Sequence, residues 1–343
     1  MPDRPWVGHV HGLRVSSEIA LDSSPVSGGD DAGVGDADVV VRRGRPCGDL
    51  AGLPRGSIVA SCPFPDGEPY FDLASRTDGY AARFHRQCEC IVSSDLREIV
   101  VHPTPGLADD ALAALVSGTT LATLLNLAGH LVFHASALVL GLSSDHPAAV
   151  AVLGESGAGK STFVALACAA GAAFLADDAL RIDADGHLPV ARAGHSEVRL
   201  RLPVGDEVRS LFATAPPARH TSDERLALRL GTGGLDRVPL GSCVVLRQRR
   251  NLTRPVLTVL EPADALLALT RSPRVVAWRD RTCLARHFAG ATEIARTVPV
   301  LRLDLPVAGT PDLGVVREAL ALLERHGAAV AVATPHPPRG AST

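Results

Sequence analysis

The chain has 343 residues, 46% apolar and 21% charged, enough for two globular domains at roughly 100–200 residues each. A net charge of −3 argues against a nucleic acid or an anionic membrane as partner, and 3% aromatic residues leave few stacking platforms. The opening residues contain no apolar core of a secretory signal, and the longest apolar run, 163–176, is too short to span a bilayer. Seven cysteines, odd in number and scattered apart from Cys88 and Cys90, point to free thiols in a reducing, cytoplasmic compartment.

In chain order, alternation and turn residues predict strands at 13–21, 38–42, 68–73, 80–92 and 98–101, with a polar, Gly-rich loop at 23–31. These make a small, mostly antiparallel β domain, assigned to residues 1–105. After Pro105, the acids Asp109 and Asp110 precede Leu112, Leu115, Val116, Thr119, Leu121, Leu124 and Leu125 at helical spacing. The second domain, 106–333, continues with strands at 131–140 and 148–153, then a helix at 162–170 closed by Gly171. Short strands follow at 172–176 and 180–182, whereas the arginine-rich residues 190–237 carry no readable pattern. A strand at 238–247, helices at 262–270 and 280–296, a strand at 298–305 and a helix at 311–326 complete the domain. Residues 334–343, rich in proline, are expected to form a disordered tail.

The strongest motif lies between the 148–153 strand and the helix after it. Gly154, Glu155, Ser156, Gly157, Ala158, Gly159, Lys160 and Ser161 satisfy G-x-x-x-x-G-K-[ST] in full, with Thr162 next. Glycines let backbone N–H groups turn inward around an anion, and the following helix brings its positive end to the same place. In this pattern Lys160 reaches the outer phosphates of a nucleotide and Ser161 offers its hydroxyl to Mg²⁺. Of 34 basic residues, 33 are arginine, and the only lysine is Lys160. A compact ammonium and a planar guanidinium are not interchangeable, so the one lysine marks the site. The cofactors expected are ATP and Mg²⁺.

Asp177 and Asp178 end the strand expected beside this loop. One carboxylate there can hold or orient Mg²⁺, and the second can accept a proton from an incoming hydroxyl; the alternative is that one merely caps the next turn. His134 lies in Phe133-His134-Ala135-Ser136-Ala137-Leu138, where a lone histidine is ordinarily a core residue. Cys88 and Cys90 lack a second pair for zinc, and 183–186 lacks the bidentate glutamate of a calcium loop. The arginines from 192 to 229 are by default solvated surface, with an acidic substrate or phosphopeptide as the alternative.

The segments FHASAL, LGESGAGKST and FLADDALRI together resemble the catalytic domain of HPr kinase/phosphorylase and its related kinases, well over 130–185 and more loosely to 325. The resemblance implies an α/β fold, with a P-loop kinase core of the HPr kinase/PEP carboxykinase-like type preceded by a small, mostly β N-terminal domain. It implies an ATP- and Mg²⁺-dependent kinase that transfers the γ-phosphate to a serine hydroxyl of a protein or precursor peptide. A small-molecule hydroxyl kinase, acting for example on free serine, and a nucleotide-gated binding module without turnover are the alternatives. By this resemblance Asp178 is the proton-accepting aspartate, Asp177 its neighbour at the metal, His134 the active-site histidine, Lys160 the phosphate-binding lysine and Ser161 the Mg²⁺ ligand. Glu197 matches a second metal ligand, although Leu200 stands where the bifunctional enzymes carry a glycine, which argues against phosphorolysis. Arg237 is the match to a later catalytic arginine, with Arg225 and Arg229 as rivals. A protein or peptide substrate is the expected partner, with neither nucleic acid nor membrane, and association into a homo-oligomer is left open.

Overall fold

The computed structural model describes residues 5–21, 36–48, 50–64, 66–142, 146–184, 188–307 and 309–333, with side chains described to 326. The 23–31 loop and the 334–343 tail lie outside the described residues.

Eight strands form the N-terminal sheet: β1 (Trp6–Val10), β2 (Leu13–Ser17), β3 (Val39–Arg43), β4 (Ser57–Pro63), β5 (Pro69–Arg76), β6 (Gly79–Phe84), β7 (Cys88–Ser93) and β8 (Glu98–Pro103). Their order is β1-β2-β3-β8-β7-β6-β5-β4, antiparallel except where β3 runs parallel to β2 and β8. Alternation is clear in β7 and β8, where Cys88, Cys90, Val92, Ile99 and Val101 turn inward, as a sheet with one covered face requires.

Two expectations change here. The run 80–92 is a hairpin rather than one strand: the chain reverses at Arg86, whose φ of 61° is left-handed, and Gln87 N–H donates to Phe84 O at 3.0 Å. Strands β1 and β4 escaped the sequence reading because Gly8 and His9, and Ser57, Ser61 and Pro63, interrupt their apolar pattern.

The covered face lies against helix α1 (Asp109–Leu127), whose Leu112, Val116, Leu121 and Leu125 share one apolar cluster with the sheet. By length and composition α1 could cross a bilayer, yet 72% of its most apolar 18-residue stretch is buried inside the molecule. Its middle, Val116–Thr120, widens into a π turn.

Beyond α1 come β9 (Leu131–Phe133), β10 (Ser136–Leu140), β11 (Ala148–Leu153), α2 (Lys160–Ala169), β12 (Ala173–Ala176), β13 (Leu180–Asp183) and β14 (Val190–Arg192). Then follow β15 (Glu197–Arg201), α3 (Val204–Ser210), β16 (Ala218–His220), β17 (Arg225–Arg229), β18 (Arg237–Arg249) and β19 (Val256–Val259). Helices α4 (Pro262–Thr270) and α5 (Arg281–Thr297), strand β20 (Val300–Pro306) and helix α6 (Leu313–Ala333) close the chain.

The central sheet runs β12-β10-β11-β18-β14-β13-β9, with β20 beside β18 and β19 beside β20. The run expected as one strand at 131–140 is two, because β9 pairs with β13 whereas β10 sits between β11 and β12. His134 therefore lies in the break rather than within a strand. Strands β15, β17 and β16 form a separate three-stranded sheet inside the stretch that had no readable pattern.

Apolar clusters cover both faces of the central sheet, which explains the unbroken apolar runs of β10 and β11. Strands β11, β18 and β20 are mutually parallel, and β12 shares their direction through its antiparallel pairing with β10. Their carboxyl ends thus share one edge, the usual place for a ligand crevice in an open α/β sheet.

Candidate active site

Strand β11 leaves that edge through a glycine loop into α2. Gly154 has φ of 150°, and a Cβ there would meet the Leu246 carbonyl oxygen at 3.1 Å and Ala158 Cβ at 3.2 Å. Gly159, at φ 90°, is the N-cap of α2 and touches the Gln248 amide, which a Cβ would approach to 3.0 Å. Both positions need glycine for conformation as well as for space.

Lys160 opens α2 and is buried, with its Nζ donating to Gly154 O at 2.9 Å and Glu155 O at 3.2 Å. The same Nζ lies 3.2 Å from His134 Nε2. Burial lowers the lysine pKa, opposed by Asp177 and Asp178 nearby. On the other side of the imidazole, Nδ1 lies 3.1 Å from the Asp178 carbonyl oxygen and 3.3 Å from Asp178 Oδ1. An ammonium only donates and a carbonyl only accepts, so the tautomer that satisfies both contacts carries its proton on Nδ1.

The two aspartates have opposite surroundings. Asp177 is buried, and its Oδ1 accepts from Ser136 Oγ at 2.5 Å and Ser161 Oγ at 2.8 Å. Burial and the charge of Asp178 push its pKa up against those hydroxyl bonds. Asp178 reaches further into the cleft, and its Oδ2 accepts from Arg274 Nη2 at 2.7 Å. Desolvation alone would raise its pKa, but Arg274 and His134 hold the carboxyl well below the usual carboxylate range. Its backbone is unusual too: φ is 68°, and Ala179 N–H donates across it to Asp177 O at 2.8 Å, a tight γ-turn. Such strain accumulates where a side chain must be aimed.

Arg274 escaped the sequence reading, as did Ser136. Arg274 sits in the segment between α4 and α5, which is laid along β9: Arg274 N–H donates to Val132 O at 3.0 Å, and His134 N–H to Ser272 O at 2.8 Å. Nothing in its spacing announces it; proline at 273 between two helices is the one local cue. The π turn of α1 lies against this pair, and a Cβ on Gly118 would stand 3.2 Å from Asp178 Oδ2 and 3.4 Å from Arg274 Nη2.

Lys160, Ser161, Asp177, Asp178 and His134 are thus brought together, and Ser156, Gly157 and Thr162 line the same cleft of about 920 Å³. Glu197 also lines it, but its carboxylate is held by Arg219 Nη2 at 2.8 Å and makes no bond to Ser161 or Asp177. Arg237 stands apart. It opens β18, whereas the loop lies level with Val245, eight residues and roughly 26 Å along the strand at ~3.3 Å each. Arg225 lines the cleft, and the arginine that stands beside Asp178 is Arg274. Among the described residues no three His, Cys, Asp or Glu side chains converge into a closed metal cage.

No protein-family model matches the chain, and no curated protein does. Among solved structures, the HPr(Ser) kinase/phosphatase from Coxiella burnetii is similar over 59% of this chain and 94% of its own, with 12% identity and a TM-score of 0.33. That is a distant structural relationship only.

Proposed function

We propose that the cleft binds ATP with Mg²⁺ and transfers the γ-phosphoryl group to a serine-type hydroxyl of a protein or peptide. The observation that carries this reading is one continuous contact chain: Gly154 O, Lys160 Nζ, His134 and Asp178 joined in sequence, with Ser161 and Asp177 paired alongside. A phosphate-binding cation, a hydroxyl-facing carboxylate and an oxygen pair suited to a hard cation then occupy one cleft.

The fit to Mg²⁺ rests on the donor set. Ser161 Oγ and Asp177 Oδ1 are two hard oxygens 2.8 Å apart, the kind of donor such an ion takes beside water and phosphate oxygens. Bound there, Mg²⁺ would neutralise charge on the outer phosphates. Ser136 orients Asp177 from behind through its own hydroxyl bond.

The rest follows from the chain's own groups. The α2 N-terminus and the loop amides face the phosphates, and Lys160 adds a point charge at their outer end. His134, neutral in the tautomer above, ties the lysine to the Asp178 turn and fixes their separation. Asp178, held ionised by Arg274, accepts a hydrogen bond from the incoming hydroxyl and takes its proton as the new O–P bond forms and the bridging O–P bond of ATP breaks, releasing ADP. A carboxylate of depressed pKa is a weak base, so that proton moves late and most of the rate comes from alignment and charge neutralisation.

The test is γ-labelled ATP and Mg²⁺ with whole extract of the source cells, its metabolites retained, products being separated into macromolecules and small molecules. Wild type is expected to label a macromolecule, and Asp178→Asn to lose transfer by about 10²–10⁴-fold while still binding a fluorescent ATP analogue. Transfer undiminished in Asp178→Asn would sink the assignment, and label confined to small molecules would move the acceptor to a metabolite.

A further inference from the structure

One wall of the cleft is built from arginine by strand alternation. On β15, Val198 and Leu200 enter an apolar cluster, so Glu197, Arg199 and Arg201 take the opposite face. On β17, Leu226 and Leu228 enter the same cluster, leaving Arg225, Ala227 and Arg229 on that face. The register sets Arg201 directly opposite Arg225, and Arg219 of β16 opposite the small Ala227. Arg199, Arg201, Arg219 and Arg225 all line the cleft that contains Lys160 and Asp178.

The local acids leave this wall short of negative charge. Arg199 and Arg225 share Asp223 at 2.8 and 3.2 Å, and Arg219 holds Glu197 at 2.8 Å. Arg201 has no carboxylate partner among the described residues, and Arg199 Nε is buried without a hydrogen-bond partner. Like charges directly opposite one another across two strands are destabilising. Guanidinium forks set this way match a carboxylate, which would relieve the repulsion between Arg201 and Arg225.

Helix α1 gauges how far the Arg219 edge of this wall stands from the chemistry. Near its start Asp110 accepts from Ser222 N–H at 2.7 Å and lies 3.9 Å from Arg219, while its Gly118 abuts Asp178 and Arg274. Eight residues of helix separate the two contacts, about 12 Å at 1.5 Å per residue. An extended peptide covers that distance in three or four residues at roughly 3.3 Å each. A small hydroxy acid is too short.

We propose that this arginine wall is the acceptor-binding surface and that the acceptor is an acidic peptide, carrying a carboxylate three or four residues from the serine delivered to Asp178. The proposal rests on the phosphotransfer reading above and deepens it.

The test is direct binding rather than turnover. Two fluorescein-labelled peptides are compared by anisotropy at low and moderate salt, one with Glu three and four residues on either side of a central Ser, the other with Gln at those positions. The acidic peptide is expected to bind wild type at least tenfold more tightly, the preference shrinking as salt rises. Arg201→Gln should remove most of the preference, and Arg201→Gln with Arg225→Gln all of it. Affinity for a fluorescent ATP analogue should stay within twofold throughout.

Arg201 is exposed and has no carboxylate to lose among the described residues, so its single variant keeps the test independent of folding. Equal binding of the two peptides by wild type, no measurable binding of either, or an unchanged preference in Arg201→Gln overturns the proposal. Loss of nucleotide affinity in the double variant overturns it too, by giving the wall to ATP. A wild type that binds the acidic peptide selectively but never transfers phosphate would instead remove the phosphotransfer reading and leave the peptide site standing.

Discussion

Asp178 is useful only if its carboxylate stays ionised and aimed, and two neighbours do this work. Arg274 supplies the charge, at 2.7 Å, and His134 the second contact, through its Nδ1 at 3.3 Å from Asp178 Oδ1. Arg274→Gln removes the cation and lets the carboxylate swing while leaving the lysine and the loop untouched. Turnover is expected to fall on the order of 10²-fold, the typical loss of one preorganised charge-stabilising group, with nucleotide affinity nearly unchanged. Steady-state transfer beside fluorescent-nucleotide binding checks it; equal loss of both would make Arg274 a nucleotide ligand instead. Asp178→Asn is the fitting partner variant because asparagine also tolerates the positive φ of 68°, so charge changes and backbone does not. These residues also divide by how they could be read from sequence. Lys160, Ser161, Asp177 and Asp178 lie in two short motifs that follow β11 and β12; β10 separates these strands, contrary to the side-by-side placement expected, yet both run to the same sheet edge. Arg274 is 96 residues from the carboxylate it holds, on a linker without periodicity, and the proline before it is its one local trace. Arg237 drew attention by standing before a strand, but it stands at the wrong end of it.

At the scale of elements, the π turn of α1 is where the covering helix meets the chemistry. Such turns recur at functional sites because they displace side chains that a regular helix would place elsewhere. Here the turn lays Gly118 against Asp178 and Arg274, the one place along α1 where the missing Cβ matters to the site. Gly118→Ala sets two effects against each other. Alanine favours helix over glycine by roughly 0.5–1 kcal/mol, so the melting temperature is expected to hold or rise. The new methyl, pressed to 3.2 Å from Asp178 Oδ2, must displace that carboxylate, and transfer is expected to fall about tenfold, a misplacement too small to cost more than that. Thermal melting beside transfer rate separates them: a fall in both would mean that the site merely unpacks. Helical spacing made α1 legible, whereas the extra residue of the π turn leaves apolar spacing almost unaltered and was not. The opposite failure hid β15 and β17, where Arg199, Arg201, Arg225 and Arg229 stand between the apolar positions and break any apolar run.

Across the whole molecule, the N-terminal sheet reaches the central one through the tip of the β1–β2 hairpin. His11, at φ 54° and fully buried, donates from Nε2 to Ser117 O in the π turn at 2.9 Å. Its own carbonyl accepts from Arg181 Nη1 at 3.2 Å, and Arg181 pairs with Asp183, which also holds Arg192 beneath Gly12. Burial, with the charge of His195, pushes the His11 pKa down to about 4; Arg274 acts in the same sense, and the Ser117 bond and Asp178 oppose them. The unfolded chain titrates near 6.5, so between the two values it binds the proton that the folded chain refuses. Stability is therefore unaffected by this group above pH 6.5 and is lost as pH falls below it, by about 2 kcal/mol at pH 5. His11→Gln can still donate to Ser117 O but does not titrate. The urea midpoint of wild type is expected to drop further between pH 7.5 and pH 5 than that of His11→Gln, the two curves converging at the acid end. Parallel falls in the two proteins would place the acid sensitivity elsewhere, among the carboxylates, and reduce the hairpin tip to a passive contact. A steeper fall in wild type, accompanied by loss of transfer at a pH where the isolated loop chemistry should still run, would make the docking of the N-terminal sheet a condition for holding Asp178 in place.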